Sequence, residues 1–281
     1  MKSLLMTGAA ICALTLPALA QETDIAAASP ADIVSPIDGA YLATAVAPAD
    51  AAAAGDFAYD PPTPENSIML FIDHQIGLMA GIRDFTSLAE YKNNVVALAK
   101  TADALDIPVL LTTSNAQWQN GDILPELREI FADEPIYRRT GIINAYADPT
   151  FRQALLDLME ETGRTHIIVS GVTLGTCVAF PVLSMLNDGF DHVYPVVDAS
   201  GAWSEYEAEA AMARMSVAGA ETQSVFALAA ELQADWRRDT ATAMLDPFVN
   251  HLPEYGFVLQ NFWNNAGEQP AVADPFGLVS N

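Results

Sequence analysis

Residues 165–177, Thr165-His166-Ile167-Ile168-Val169-Ser170-Gly171-Val172-Thr173-Leu174-Gly175-Thr176-Cys177, pass from an apolar run through a glycine-bearing turn to a thiol. The run 165–170 has the profile of a strand buried on both faces of a parallel sheet. The turn 171–176 carries two glycines, and 177–187 has the spacing of a helix. Strand, turn and helix in that order are half of a βαβ unit.

Outward from this stretch the alternation repeats. Further strands are predicted at 67–73, 107–113, 135–138, 192–197 and 221–225, and helices at 87–105, 124–131, 148–161, 204–218, 226–236 and 240–249, with an irregular remainder. In 87–105, Leu88, Tyr91, Val95, Leu98 and Leu105 share one side, as an amphipathic helix requires. The pattern predicts an α/β fold in three layers, a doubly wound, mostly parallel sheet of Rossmann-like topology. Such sheets bind ligands beyond the carboxyl ends of their strands. The residues to weigh are therefore Asp73, 112–115, Arg138, Arg139, 171–177 and 198–201.

Composition narrows the function. A formal net charge of −24 repels phosphate backbones and anionic lipid, so nucleic-acid and membrane-surface partners are not expected. Residues 1–20 carry one basic residue, Lys2, then an apolar run ending Ala18-Leu19-Ala20, the pattern of a cleavable export leader. The run is short for a membrane span and is broken by Gly8 and Pro17. A periplasmic or secreted protein is expected. Residues 21–66, rich in Ala and Pro, read as an arm, either disordered or extended along the body, and 67–281 as one domain with a C-terminal helical tail. The apolar residues Phe257, Val258, Leu259, Phe262 and Trp263 read as a contact surface, so self-association is expected.

Of the two cysteines, Cys12 falls in the leader, leaving Cys177 without a disulfide partner. Cys177 is then either an apolar filler or a reactive group. At a helix N-terminus, unpaired N–H groups lower a thiol pKa and hold an oxyanion. Asp73, at the end of the first strand, is the natural acceptor of the thiol proton. Arg139 faces the same rim and can stabilise both, whereas Arg138 reads as a surface residue. His74 follows Asp73 on a strand and points the other way, a structural position. The four histidines, 74, 166, 192 and 251, show no ligand spacing.

Phe71-Ile72-Asp73-His74-Gln75, Arg139-Thr140-Gly141-Ile142-Ile143-Asn144-Ala145-Tyr146 and Gly171-Val172-Thr173 through Cys177-Val178-Ala179-Phe180-Pro181 together resemble the isochorismatase-like cysteine hydrolases, most nearly the bacterial YcaC-type hydrolases. Asp198-Ala199-Ser200-Gly201 and the stretch 214–220 extend the likeness. The resemblance implies an Asp73, Arg139, Cys177 triad in which Cys177 attacks a carbonyl and forms an acyl-thioester. It also implies a cis peptide at Val172-Thr173 that aims the N–H groups of Thr173 and Cys177 at an oxyanion. The basic position is commonly lysine in the amidase branches; Arg139 is an electrostatic anchor that cannot shuttle a proton. The nicotinamidase branch holds a metal with a histidine near the second strand exit, where 112–118 offers none, so neither metal nor cofactor is expected.

The reading is an exported hydrolase of a small amide, ester or related carbonyl compound, assembled as a tetramer or octamer. Gln75, Asn115, Trp118, Tyr146 and Phe180, with Phe85, are expected to wall its pocket. The rival readings are a weakly active or inactive binding or scaffold oligomer on the same fold, and a one-cysteine redox protein, which would need an external resolving thiol.

Overall fold

The computed structural model describes residues 59–85 and 87–265. The expected leader and all but the last residues of the expected arm lie outside them, as does the side chain of Trp263. The compact unit begins at Asp60.

Five strands, β1 (Ser67–Ile72), β2 (Val109–Ser114), β3 (Ile136–Arg139), β4 (His166–Gly171) and β5 (His192–Pro195), form one parallel sheet in the order β3-β2-β1-β4-β5. β1 is buried along its whole length because helices cover both faces. Its alternate side chains feed two cores: Met69 and Phe71 join Tyr91, Leu98 and Phe248, while Ile68, Leu70 and Ile72 join Phe151, Val182 and Met215.

The helices in chain order are α1 (Ile76–Met79), α2 (Leu88–Ala104), α3 (Pro125–Ile130), α4 (Pro149–Thr162), α5 (Ala179–Asn187), α6 (Glu205–Val217), α7 (Val225–Gln233), α8 (Ala241–Asn250) and α9 (Pro253–Asn265). Several start where a side chain meets an otherwise unpaired N–H. Ser87 accepts from Glu90 N, Asp148 from Thr150 N and Phe151 N, and Ser204 from Glu207 N. α4 has Pro149 in its first turn and closes at Gly163, φ 69°.

Three expectations are corrected. The strand expected at 221–225 is a single bridge, Val196 to Gln223, beside which Glu221 N and Gln223 N donate to the Val193 and Pro195 carbonyls; Ser224 then caps the next helix and ends the pairing. The helix expected from Cys177 begins earlier, in a π-type turn over Leu174–Val178 that runs into α5. Cys177 therefore lies inside the first turn, not at its start. The irregular remainder is in part α9.

The strand order reverses at β1, with β2 and β3 on one side and β4 and β5 on the other. The crevice between the carboxyl ends of β1 and β4 is where this topology places ligands. Gly171 is required there: a Cβ on it would lie 2.3 Å from the Ile72 carbonyl oxygen.

Candidate active site

Asp73 directly follows β1 and stands in the left-handed region, φ 56°, a conformation that aspartate tolerates better than most residues. Its N–H completes the ladder to the Thr112 carbonyl at 3.0 Å. The carboxylate is fully buried and lines a cavity at the crevice. His74 goes to the other side, buried, with Nδ1 2.8 Å from the Tyr91 hydroxyl and Nε2 3.0 Å from the Ser170 hydroxyl. Burial pushes its pKa down to about 3, so it stays neutral and braces β1 against β4.

Arg139, the last residue of β3, reaches Asp73 across β2. One terminal nitrogen donates to both Asp73 oxygens, to Oδ2 at 2.5 Å. The other donates to the carbonyls of Ile142 and Ile143, and Nε donates to Thr112 Oγ1 at 3.0 Å. Both side chains of the pair are all but inaccessible.

Cys177 is 7% exposed, and its thiol lies close enough to the Asp73 carboxylate in the same cavity for each to shift the other's titration. The Thr176 hydroxyl donates to its sulfur at 3.7 Å. Burial, then the neighbouring Asp73 charge, pushes the thiol up to about 12. This corrects the expected lowering. Gly175, the second residue of the turn, already gives its N–H to Glu207, the nearest charge is an anion, and desolvation outweighs what remains of the helix dipole. Burial likewise raises the Asp73 carboxyl, with Arg139 opposing it. The arrangement thus holds a neutral thiol against a carboxylate more basic than usual.

The cavity is about 410 Å³. Asp73, Val172, Thr173 and Cys177 line it, with Arg139 behind Asp73. The Val172–Thr173 peptide bond is cis. The six residues expected as pocket walls lie elsewhere. Gln75 is buried and ties loops together, accepting from Ser114 N at 2.8 Å and donating to the Gly121 carbonyl at 2.5 Å. Asn115 turns the chain at φ 53°, and Trp118 is 67% exposed outside the cavity. Tyr146 and Phe180 line a separate cavity of about 470 Å³ with Arg152, Asp188 and Arg214. Phe85 packs edge-on against Tyr91.

The walls are instead Leu78, Ile143 and Trp203 on the apolar side and Ser114, Asn120 and Glu207 on the polar side. Trp203 holds its place through Nε1, which donates to the Leu78 carbonyl at 3.2 Å. In sequence Ser204-x-x-Glu207 has the form of a capping box, but only Ser204 caps the helix, and the Glu207 carboxylate turns to Gly175 N and Trp203 N.

The histidines are not all scattered. His166 and His192 begin adjacent strands in register, and their rings stack at 4.1 Å and 4°. Among the described residues, Asp60, His166 and His192 offer ligand atoms within 4.8 Å of one another. They sit at the amino ends of the strands, away from Cys177, with both Nε2 atoms facing Asp60 Oδ2, at 3.7 Å from His166 and 3.4 Å from His192.

A family model described as Isochorismatase domain matches residues 67–225. The chain belongs to the isochorismatase family. It is 39% identical over 197 residues to "Probable hydrolase YcaC" of Escherichia coli (strain K12), covering 70% of this chain and 91% of that one. The structure of YcaC from Pseudomonas aeruginosa with hexane-2,5-diol and covalent acrylamide superposes with a TM-score of 0.69 at 41% identity, over 74% of this chain and 99% of that one. The E. coli YcaC structure, described as an octameric hydrolase of unknown specificity, gives 0.68 at 38% identity over 73% and 98%. The three-layer α/β fold is the family's, and the chain is a hydrolase of this isochorismatase-like group.

Proposed function

We propose that the chain is a cysteine-dependent hydrolase that cleaves an amide-type C–N or related carbonyl bond in a small molecule. The observation that carries this reading is the convergence of the Cys177 thiol and the Arg139-paired Asp73 carboxylate on one cavity. Cys177 sulfur attacks the carbonyl carbon as its proton passes to Asp73. The Thr173 and Cys177 N–H groups, beside the nucleophile, receive the developing oxyanion. Asp73 then gives the proton to the leaving nitrogen, the C–N bond breaks and an acyl-thioester remains. Water attacks with Asp73 as base, the C–S bond breaks, and the proton returns to the sulfur. Arg139 stays charged throughout and orients Asp73.

A thiol held near pKa 12 does not attack as a standing thiolate, so proton transfer accompanies attack. The same value argues against the redox reading, because sensor thiols are those of low pKa. The P. aeruginosa relative's covalent acrylamide supports a nucleophile on this fold, and Cys177 is the free cysteine among the described residues.

The octameric relative supports a homo-oligomer here, a tetramer or octamer, checked by light scattering. The leader-like residues 1–20 support export, checked by finding Gln21 as the mature N-terminus. The function itself is tested on a panel of small amides and esters. Cys177→Ala and Asp73→Asn should each abolish hydrolysis, with an acyl mass trapped on wild-type Cys177 alone. Undiminished turnover by Cys177→Ala would require a different nucleophile, and no turnover by the wild type on any member of the panel would favour the binding or scaffold reading.

A further inference from the structure

We infer that Glu207 makes the Cys177 cavity select molecules that are uncharged or cationic and carry an N–H group, and reject carboxylates. The inference rests on the proposal that this cavity is catalytic. Among the described residues lining it, the charged ones are Asp73 and Glu207, both acidic. The nearby cation is Arg139, and all five of its N–H groups are committed to Thr112, Ile142, Ile143 and Asp73. No described cation in the cavity is free to receive a substrate carboxylate.

Glu207 is fixed in this position. Its Oε1 accepts from Gly175 N at 3.2 Å and its Oε2 from Trp203 N at 2.8 Å, while its own N–H donates to Ser204 Oγ at 3.2 Å. A Cβ on residue 175 would lie 2.8 Å from Oε1, so the glycine is what lets the carboxylate dock beside the turn that carries Cys177. A carboxylate has about four acceptor directions, and the two protein bonds leave the others for a ligand N–H. Asp84 and Glu205 add to this charge: burial chiefly raises the Asp84 carboxyl, and the neighbouring Glu207 and Glu205 charges raise it further. The mouth is therefore electronegative, while Leu78, Ile143, Val172 and Trp203 receive an apolar body. A small, compact molecule with an apolar body and an N–H-bearing or positively charged end fits both walls.

The test needs no identified substrate. Cys177 is modified with methanethiosulfonates bearing a neutral methyl, a trimethylammonioethyl or a sulfonatoethyl group. In each case the sulfur forms an S–S bond, methanesulfinate leaves and the thiol proton goes to buffer. Rates are divided by those of the same reagents with free cysteine. The wild-type cationic-to-anionic ratio should exceed unity by at least about tenfold at low salt. In Glu207→Gln it should collapse toward one while the neutral reagent's rate holds, which also reports an intact cavity. Gly175→Ala, which keeps the charge but displaces it, should lower the ratio as well. A wild-type ratio of one or less overturns the inference without any variant. A ratio unmoved by both substitutions, with the neutral rate preserved, overturns the role of Glu207. If Cys177→Ala still hydrolyses the amide panel, the catalytic reading fails, independently of the charge ratio measured on the wild type.

Discussion

Arg139 and Asp73 form a closed pair: the guanidinium spans β2 to reach the carboxylate and has no N–H left over. A lysine here would keep the charge but offer three donors from a point, not five in a fork. The arginine therefore does two tasks, fixing Asp73 and holding the 142–143 carbonyls that shape the cavity wall. Arg139→Met, which strands the buried Asp73 charge, should cost about 3–5 kcal/mol. Arg139→Lys should cost less. Urea unfolding midpoints measure both, and Asp73→Asn added to Arg139→Met should recover part of the loss, a coupling that independent sites would not show.

Gly171→Ala tests the crevice itself. The new Cβ would meet the Ile72 carbonyl at 2.3 Å, and this atom belongs to the backbone of β1, which has nowhere to go. We expect a loss of about 1–3 kcal/mol from overpacking. We also expect reduced hydrolysis, because Asp73 and the 171–177 turn are the direct continuations of the two strands being forced apart.

His74 gives a pH signature. Its folded pKa of about 3 lies below the ordinary value of 6.5, so between those values the unfolded chain binds more protons than the folded one. Stability is full above pH 6.5 and falls as pH drops toward 3, by at most about 1.4 kcal/mol per pH unit from this group. His74→Gln, which keeps hydrogen-bonding capacity toward Tyr91 and Ser170, should flatten that part of the urea stability profile. An equally steep profile in the variant would assign the acid sensitivity to other groups.

Much of this site was legible because strand exits are. Asp73, Arg139 and Cys177 each close or follow an apolar run, and a parallel sheet brings such positions to one rim. The pocket walls were not legible, since they depend on side-chain direction after the strand ends. The left-handed turn at Asp73 and the Gln75–Ile123 bridge fold Gln75 inward as a loop tie. Trp118, four residues past β2, swings out of reach. Glu207 hid in the first turn of a helix that Ser204 caps, because its bond to Gly175 N joins segments far apart in sequence. The stacking of His166 on His192 depends on β4–β5 register, which residue spacing does not reveal. The direction of the Cys177 shift was misread because helix position favours the thiolate, whereas its burial and its anionic neighbour do not.

The titration of Cys177 is the sharpest check on that correction. Its folded pKa of about 12 stands above the ordinary value of 9.0, so the folded state holds the proton more tightly than the unfolded chain. The associated stability is full below pH 9 and is lost as pH rises through 12, up to about 4 kcal/mol in all. Cys177→Ala should lack this part of the alkaline loss when urea midpoints are compared from pH 8 to 11. Iodoacetamide should report the same state directly. The labelling rate should climb about tenfold per pH unit across that range and, at pH 7, fall below that of free cysteine by at least about a hundredfold. Rapid labelling at pH 6 would show a standing thiolate, and attack coupled to proton transfer onto Asp73 would then be the wrong mechanism for this cavity.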